Sequence, residues 1–267
     1  MEFIAAHDLD EALAAKADRP DATLLSGGTD LMVDVNLAHL RPSPVISLRR
    51  VLELRAVTPE RIGAGATWAH LESSPHAALA QAARTVGSPQ IRAVGTIGGN
   101  VATASPAGDG LPWIAAADAT IAVRSVERGE RSIPWHDFFS GVKRTSLASD
   151  EVIVGVDVPD DVPKVQEFSK VGIRNAMVIS TVSCVVMRGP DGFRIALGSV
   201  AATPMRAARA EAFLNAQPRI SDTELAELAE IVAAEVRPIT DHRSTEAYRR
   251  HASGVIARRL VERCVSR

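Results

Sequence analysis

The stretch GTIGGNVATASPAGD, residues 95–109, decides how the rest of the chain is read. Two adjacent glycines, Gly98 and Gly99, stand between Thr96-Ile97 and the amide side chain of Asn100. Glycine lets a backbone approach a ligand with no Cβ in the way, and it permits positive φ. Consecutive main-chain N–H groups in such a turn form an anion-binding concavity. On its own the pair also reads as a plain tight turn. Thr103, Ser105 and Asp109 then continue a run of small polar residues unlike an ordinary connector.

A second glycine pair lies upstream. LLSGGTDL, Leu24–Leu31, reads as strand, glycine turn, helix. The helix start adds partial positive charge just after Gly28. Two such loops facing each other can hold a pyrophosphate with amides and hydroxyls, and Thr29, Thr96 and Asn100 are the side-chain donors expected there. The better-known phosphate loops are absent. No G-x-x-x-x-G-K-[ST] occurs, and GAGATW, residues 63–68, puts Trp68 where a dinucleotide-binding G-x-G-x-x-G needs its third glycine. Gly63 and Gly65 therefore read as structural.

The rest of the composition narrows the classes. Net charge is −2 over 267 residues and aromatic residues are 4%, so neither a nucleic-acid platform nor a charged membrane surface is indicated. The N-terminus lacks a signal-peptide pattern, and no apolar run approaches the roughly 18 residues of a membrane span. Cys184 and Cys264 match no metal-ligand spacing, which reads as reduced cytoplasmic thiols and implies no zinc site and no iron–sulfur cluster. The scattered histidines form neither H-E-x-x-H nor a triad, and they read as surface or satisfied core groups. Neither a hydrolytic metal site nor a serine triad has support in the sequence.

Periodicity predicts helices over 8–17, from 29 or 30 onward, from near 67, over 74–86 with Pro75 at the first helical position, and over 110–119. It predicts strands at 22–26, 44–48, 61–67, 120–126 and 151–159, the last with clear alternation. After a linker-like 160–164, two strands at 179–188 and 193–202 join through GPDG, and helices follow near 205–214, 222–236 and 244–265. In the last helix Tyr248, Ala252, Val255 and Leu260 mark the expected apolar stripe. Lys170 and Arg174, in KVGIRN, read either as cations for a phosphate or flavin oxygen or as a solvated basic turn.

In their order and spacing, SGGTDLM, VGSPQIRAVGTIGGNVATASPAGD, FFSGVKRT, FSKVGIRNAMVIS, GSVAATPMRA and RPITDHRSTEAYRRH resemble one family. It is the FAD-binding medium subunit of the molybdenum hydroxylases, the xanthine dehydrogenase and carbon monoxide dehydrogenase flavoproteins. The resemblance covers essentially the whole chain. T-I-G-G-N followed by S-P-x-x-D is its most specific part.

The resemblance implies an α+β fold. Two α/β subdomains of the PCMH or vanillyl-alcohol-oxidase type, 1–57 and 58–164, would clasp FAD. A C-terminal α+β domain, 165–267, with a small antiparallel sheet and helices, would close over it. Carried over by position, Leu24, Leu25, Ser26, Gly27, Gly28, Thr29, Asp30 and Leu31 would line the first FAD loop. Thr96, Ile97, Gly98, Gly99 and Asn100 would form the pyrophosphate loop. Asp109, Ile153 and Lys170 would contact the cofactor, with Thr103 and Ser105 as lesser contacts. An iron–sulfur subunit and a molybdopterin subunit are the implied partners, and NAD, a quinone or oxygen the implied electron acceptor. The alternative on the same scaffold is a stand-alone FAD-dependent oxidase or dehydrogenase acting directly on a small molecule.

Overall fold

The computed structural model describes residues 2–267. After β1 (Phe3–Ala5), the Asp8 carboxylate accepts the Glu11 amide at 2.8 Å and so caps α1 (Leu9–Asp18). Then come β2 (Thr23–Leu25), α2 (Leu31–Asn36) and β3 (Val45–Ser47). The three strands pair in parallel in the order β1-β3-β2, which leaves β2 on the edge.

The next stretch holds β4 (Arg61–Gly63), α3 (Trp68–Leu71), α4 (Ala77–Thr85), α5 (Pro89–Val94), α6 (Ile97–Thr103) and α7 (Leu111–Ala117). It continues through β5 (Thr120–Ser125), β6 (Gly129–Pro134), α8 (Trp135–Phe138), β7 (Phe139–Gly141), β8 (Arg144–Thr145) and β9 (Val152–Asp157). Strands β4-β9-β5-β6 form an antiparallel sheet, and β7 pairs with β8. Gly63 and Gly65 are structural, as expected. A Cβ on Gly63 would stand 2.3 Å from the Leu54 carbonyl oxygen. His76 is a satisfied core histidine whose Nε2 lies 2.9 Å from the Pro59 carbonyl oxygen.

Two expectations change here. Helix α4 is capped at His76, so Pro75 precedes the cap instead of opening the helix. Strand β9 does not alternate, because Val152 through Val156 are all buried. It lies between β4 and β5, with Ile153 and Val156 in the main core and Val154 on the opposite face with Ala12 and Leu54. A strand covered on both faces has no solvent side to mark with polar residues.

The last stretch is β10 (Val165–Val171), β11 (Val182–Gly189), β12 (Gly192–Gly198), β13 (Met205–Arg206), α9 (Ala208–Asn215), α10 (Asp222–Glu235) and α11 (Glu246–Val265). Its four strands form an antiparallel sheet in chain order. One face packs on α9–α11, through Val186, Ile195, Leu228 and Leu260. The other meets the wholly buried α7, so Val185, Met187 and Ala196 share a core with Trp113 and Ile114. In α11 the buried stripe runs through Ala252, Ile256 and Leu260, while Tyr248 is exposed and Val255 half-buried. The expected stripe was displaced because Gly254 must face α10, where a Cβ would stand 2.3 Å from the Ala229 carbonyl oxygen. No helix is long and apolar enough to cross a membrane among the described residues.

Candidate cofactor-binding site

Edge strand β2 runs into the first glycine pair. Gly28 turns the chain at φ +73°, in the region that favours glycine. Gly27 serves a different need. A Cβ there would stand 1.9 Å from the Val94 carbonyl oxygen, so its absence lets the turn lie against the α5–α6 junction. Among the described residues, the amides of Gly27, Gly28, Thr29 and Asp30 donate to no protein acceptor. Four consecutive unpaired N–H groups at a half-buried turn form the donor array an anion requires.

The second pair is not a loop. Gly98 and Gly99 lie in the first turn of α6, and neither has positive φ. Glycines are poor helix formers, and tertiary packing overrides that preference here. The Thr96 hydroxyl caps the helix by accepting the Gly99 amide at 3.1 Å. The Ile97 and Gly98 amides donate to the carbonyls of Ala66 (3.0 Å) and Ala64 (2.9 Å), and the Asn100 amide donates to the Thr96 carbonyl (3.1 Å). A Cβ on Gly98 would stand 2.6 Å from the Ala64 Cβ, so this glycine allows the helix to sit on that segment.

With its first-turn amides engaged, α6 presents side chains instead. Gly99 is exposed, and the only atom near a Cβ built on it is Thr96 Oγ1, at 3.3 Å. Asn100 Oδ1 is buried without any partner. Two side-chain bridges tie α6 to the first turn: Thr96 Oγ1 donates to Ser26 Oγ (3.3 Å) and Thr103 Oγ1 to Asp30 Oδ2 (3.1 Å).

Asp109 forms the far wall. It is 8% exposed and accepts Lys170 Nζ at 2.6 Å and the Ser180 hydroxyl. Burial pushes its carboxyl above the usual carboxylate range, while the Lys170 ammonium and the Ser180 hydroxyl pull the other way. Lys170 also donates to the carbonyls of Thr85 (2.9 Å) and Val178 (3.1 Å), which occupies all three of its protons.

These elements enclose a cleft of about 480 Å³. Leu24 through Leu31, Thr96, Gly99, Asn100, Thr103, Ser105 and Asp109 all line it. Ile97, Gly98 and Ile153 are buried outside its lining, and Lys170 stands behind Asp109 at the edge of a neighbouring cleft. Sequence reasoning missed Trp68, Val86, Gly87 and Ile91 on one side and Met177, Val178 and Ile179 on the other. Gly87, at φ +49°, was a signal in VGSPQI, and NAMVIS carried the far rim. The unpaired turn amides, the orphaned Asn100 oxygen and the bare Gly99 suit a phosphate-bearing cofactor that supplies acceptors to the turn and a donor to Asn100. Among the described residues, no three His, Cys, Asp or Glu gather to hold a metal.

Two family models match the chain: the FAD binding domain in molybdopterin dehydrogenase over residues 1–161, and the CO dehydrogenase flavoprotein C-terminal domain over residues 168–264. The chain belongs to this family of FAD-binding dehydrogenase subunits, and its cofactor is FAD. It is 30% identical to the putative xanthine dehydrogenase FAD-binding subunit XdhB of Escherichia coli K12, over 97% of this chain and 94% of that protein. It is 38% identical to the nicotinate dehydrogenase FAD-subunit of Eubacterium barkeri, over 68% of this chain and 66% of that one. A chain of the carbon monoxide dehydrogenase of Hydrogenophaga pseudoflava superposes with a TM-score of 0.90 at 30% identity, covering 100% of this chain and 97% of its own.

Proposed function

We propose that this chain is the electron-transfer flavoprotein of a cytoplasmic molybdenum hydroxylase complex, with its FAD in the cleft between the SGGTD turn and α6. The carrying observation is the complementarity of the two glycine segments: one leaves four amides unpaired and the other leaves a bare surface at Gly99. In this reading the chain divides into units 1–57, 58–164 and 165–267, the first and last holding one sheet each and the middle one holding the four-stranded sheet and the β7–β8 pair.

FAD, when bound, would supply the redox chemistry that links an iron–sulfur partner to NAD, a quinone or oxygen as acceptor. The residues of the chain bind and orient. The Gly27–Asp30 amides would donate to cofactor phosphate, and Asn100 Oδ1 would accept from a cofactor donor. Leu24, Leu25 and Leu31 shield one side, with Met177 to Ile179 across the cleft. Asp109 faces the cleft with its charge balanced by Lys170, so it orients without adding net repulsion. Ile97, Gly98 and Ile153 are buried outside the lining, and Thr103 and Ser105 belong to it.

The xanthine and nicotinate dehydrogenase relatives are named as FAD subunits, which favours this reading over a stand-alone oxidase. Purification from the native source with flavin and metal analysis tests it. The expected result is co-isolation with iron, molybdenum and FAD. Isolation of the chain alone, turning over a small molecule by itself, would overturn it.

A further inference from the structure

The segment RPITDHRSTEAYRRH, residues 237–251, contributes nothing to the lining of the cleft, yet it holds a buried cation. Arg249, in the first turns of α11, is 3% exposed. Its Nη1 donates to the carbonyls of Thr181 (2.7 Å) and Ser199 (2.9 Å), and its Nη2 donates to Asp241 Oδ1 (2.7 Å). Asp241 also accepts the amides of Arg243 (2.9 Å) and Ser244 (3.2 Å). Burial pushes the Asp241 carboxyl up, but these amides and the guanidinium outweigh it and bring it down to about 2. The carboxylate is therefore a fixed counter-charge at working pH.

The two carbonyls that Arg249 holds sit at equivalent ends of neighbouring strands. Thr181 precedes β11 and Ser199 follows β12, beside the Ser183–Gly198 pair. Ser199 adopts φ +65°, a conformation costly for a residue with a Cβ. It is held there at three points. Its amide donates to the Pro106 carbonyl (2.7 Å), its hydroxyl donates to the Ser180 carbonyl (2.9 Å), and its own carbonyl accepts from Arg249. Ser180 in turn donates its hydroxyl to Asp109, and Lys170 joins Asp109 to the Val178 carbonyl. Packing alone does not call for a guanidinium at position 249, since an apolar side chain would extend the stripe of Ala252 and Ile256. The charge and the rigid fork serve the carbonyls.

We propose that Arg249, oriented by Asp241, is a positioning residue for the FAD cleft: through Ser199 and Ser180 it sets the place of Asp109 and of the Met177–Ile179 wall. This rests on the reading of the cleft as the FAD site. The test uses the full chain as wild type, Arg249→Lys, Ser180→Ala and the double variant. FAD release is followed by flavin fluorescence, and amide hydrogen exchange over 177–181 is measured before FAD is added.

Arg249→Lys keeps the charge but loses the fork, so FAD release should quicken by about tenfold and exchange at 177–181 should rise. Ser180→Ala should quicken release in the same direction. The double variant should release FAD no faster than the worse single one, because both act on one chain of contacts. Strictly additive effects, or a lowered urea midpoint with unchanged FAD release, would overturn the proposal. Failure of the wild-type chain to take up FAD would strike the cofactor reading instead. In that case unchanged exchange at 177–181 in Arg249→Lys would still dispose of the positioning role.

Discussion

The two glycine pairs look alike in the sequence and do opposite things in the fold. Gly27-Gly28-Thr29-Asp30 is a true turn whose amides, among the described residues, donate to no protein acceptor. Thr96-Ile97-Gly98-Gly99 is the start of a helix whose first amides are all engaged. Within each pair the glycines differ again. Gly27 and Gly98 are needed because backbone or Cβ atoms of Val94 and Ala64 lie too close for a side chain. Gly28 is needed for its positive φ. Gly99 has no such requirement: among the described residues a Cβ built on it meets only Thr96 Oγ1, at 3.3 Å, and in our proposal the cofactor lies against it. A G-G signature can thus mix a fold constraint and a ligand constraint in adjacent positions, and single substitutions separate them.

The largest effect should come from Gly27→Ala and Gly98→Val. Both add atoms where no space exists, at 1.9 Å and 2.6 Å from the nearest neighbour. Overpacking of this kind costs about 1–3 kcal/mol or more, and for Gly27 the neighbour is a backbone carbonyl that cannot swing aside. Urea unfolding of the FAD-free chain should show a clear loss of stability in both. An unchanged midpoint would remove the distinction between the two members of each pair.

Gly99→Ala should do the reverse. A helical glycine replaced by alanine gains up to about 1 kcal/mol, and the Cβ meets only a hydroxyl oxygen at 3.3 Å. The FAD-free chain should be as stable as wild type or slightly more so, while FAD affinity falls by about tenfold, close to 1.4 kcal/mol. Fluorescence titration beside the urea melt reads both quantities. Undiminished affinity would mean that Gly99 does not face the cofactor.

Much of this arrangement was visible in the sequence, and the parts that were not share a cause. The helix over 8–17 was legible because its apolar spacing and its cap are local devices, and GPDG announced the β11–β12 turn because positive φ at Gly192 is also local. The helical state of Ile97–Thr103 was hidden, since it depends on Ala64 and Ala66, more than 30 residues upstream. The lack of alternation in β9 and the displaced stripe of α11 likewise depend on what packs from outside. In the cleft, the polar and glycine residues of the two glycine segments were singled out because their chemistry is unusual for a connector, while Gly87, outside them, was not. Val86, Ile91, Met177 and Ile179 were missed because an apolar residue lining a cofactor cleft has the same signature as one in a core. Asp109 and Lys170 were both singled out, yet their bond to each other spans 61 positions and no local pattern reports it.

Asn100→Asp sharpens the comparison from the helix side. The orphaned Oδ1 stays in place while a negative charge is added to the cleft. A phosphate-bearing ligand held by neutral amides should then bind several-fold more weakly at low salt, and part of the loss should return as ionic strength screens the half-buried charge, with a Debye length of about 8 Å at 0.15 M. An affinity insensitive to both substitution and salt would place the phosphates away from α6.

The smallest effect concerns the bridges that join the two segments. Thr103 donates to Asp30, and in doing so it holds an acidic side chain away from the donor array of the turn that Asp30 itself ends. Thr103→Val keeps the shape and removes the donor. An exposed bond of this kind contributes about 0.5–1.5 kcal/mol to stability, so the FAD-free chain should change little. The freed carboxylate is then able to compete for the Gly27–Asp30 amides with the cofactor phosphates, and FAD affinity should drop by a few-fold. Thr103→Ser restores the donor and should restore the affinity. If valine and serine behave alike, the bridge is incidental, and the two glycine segments are held together by the Thr96–Ser26 bond and by packing of Gly27 on Val94.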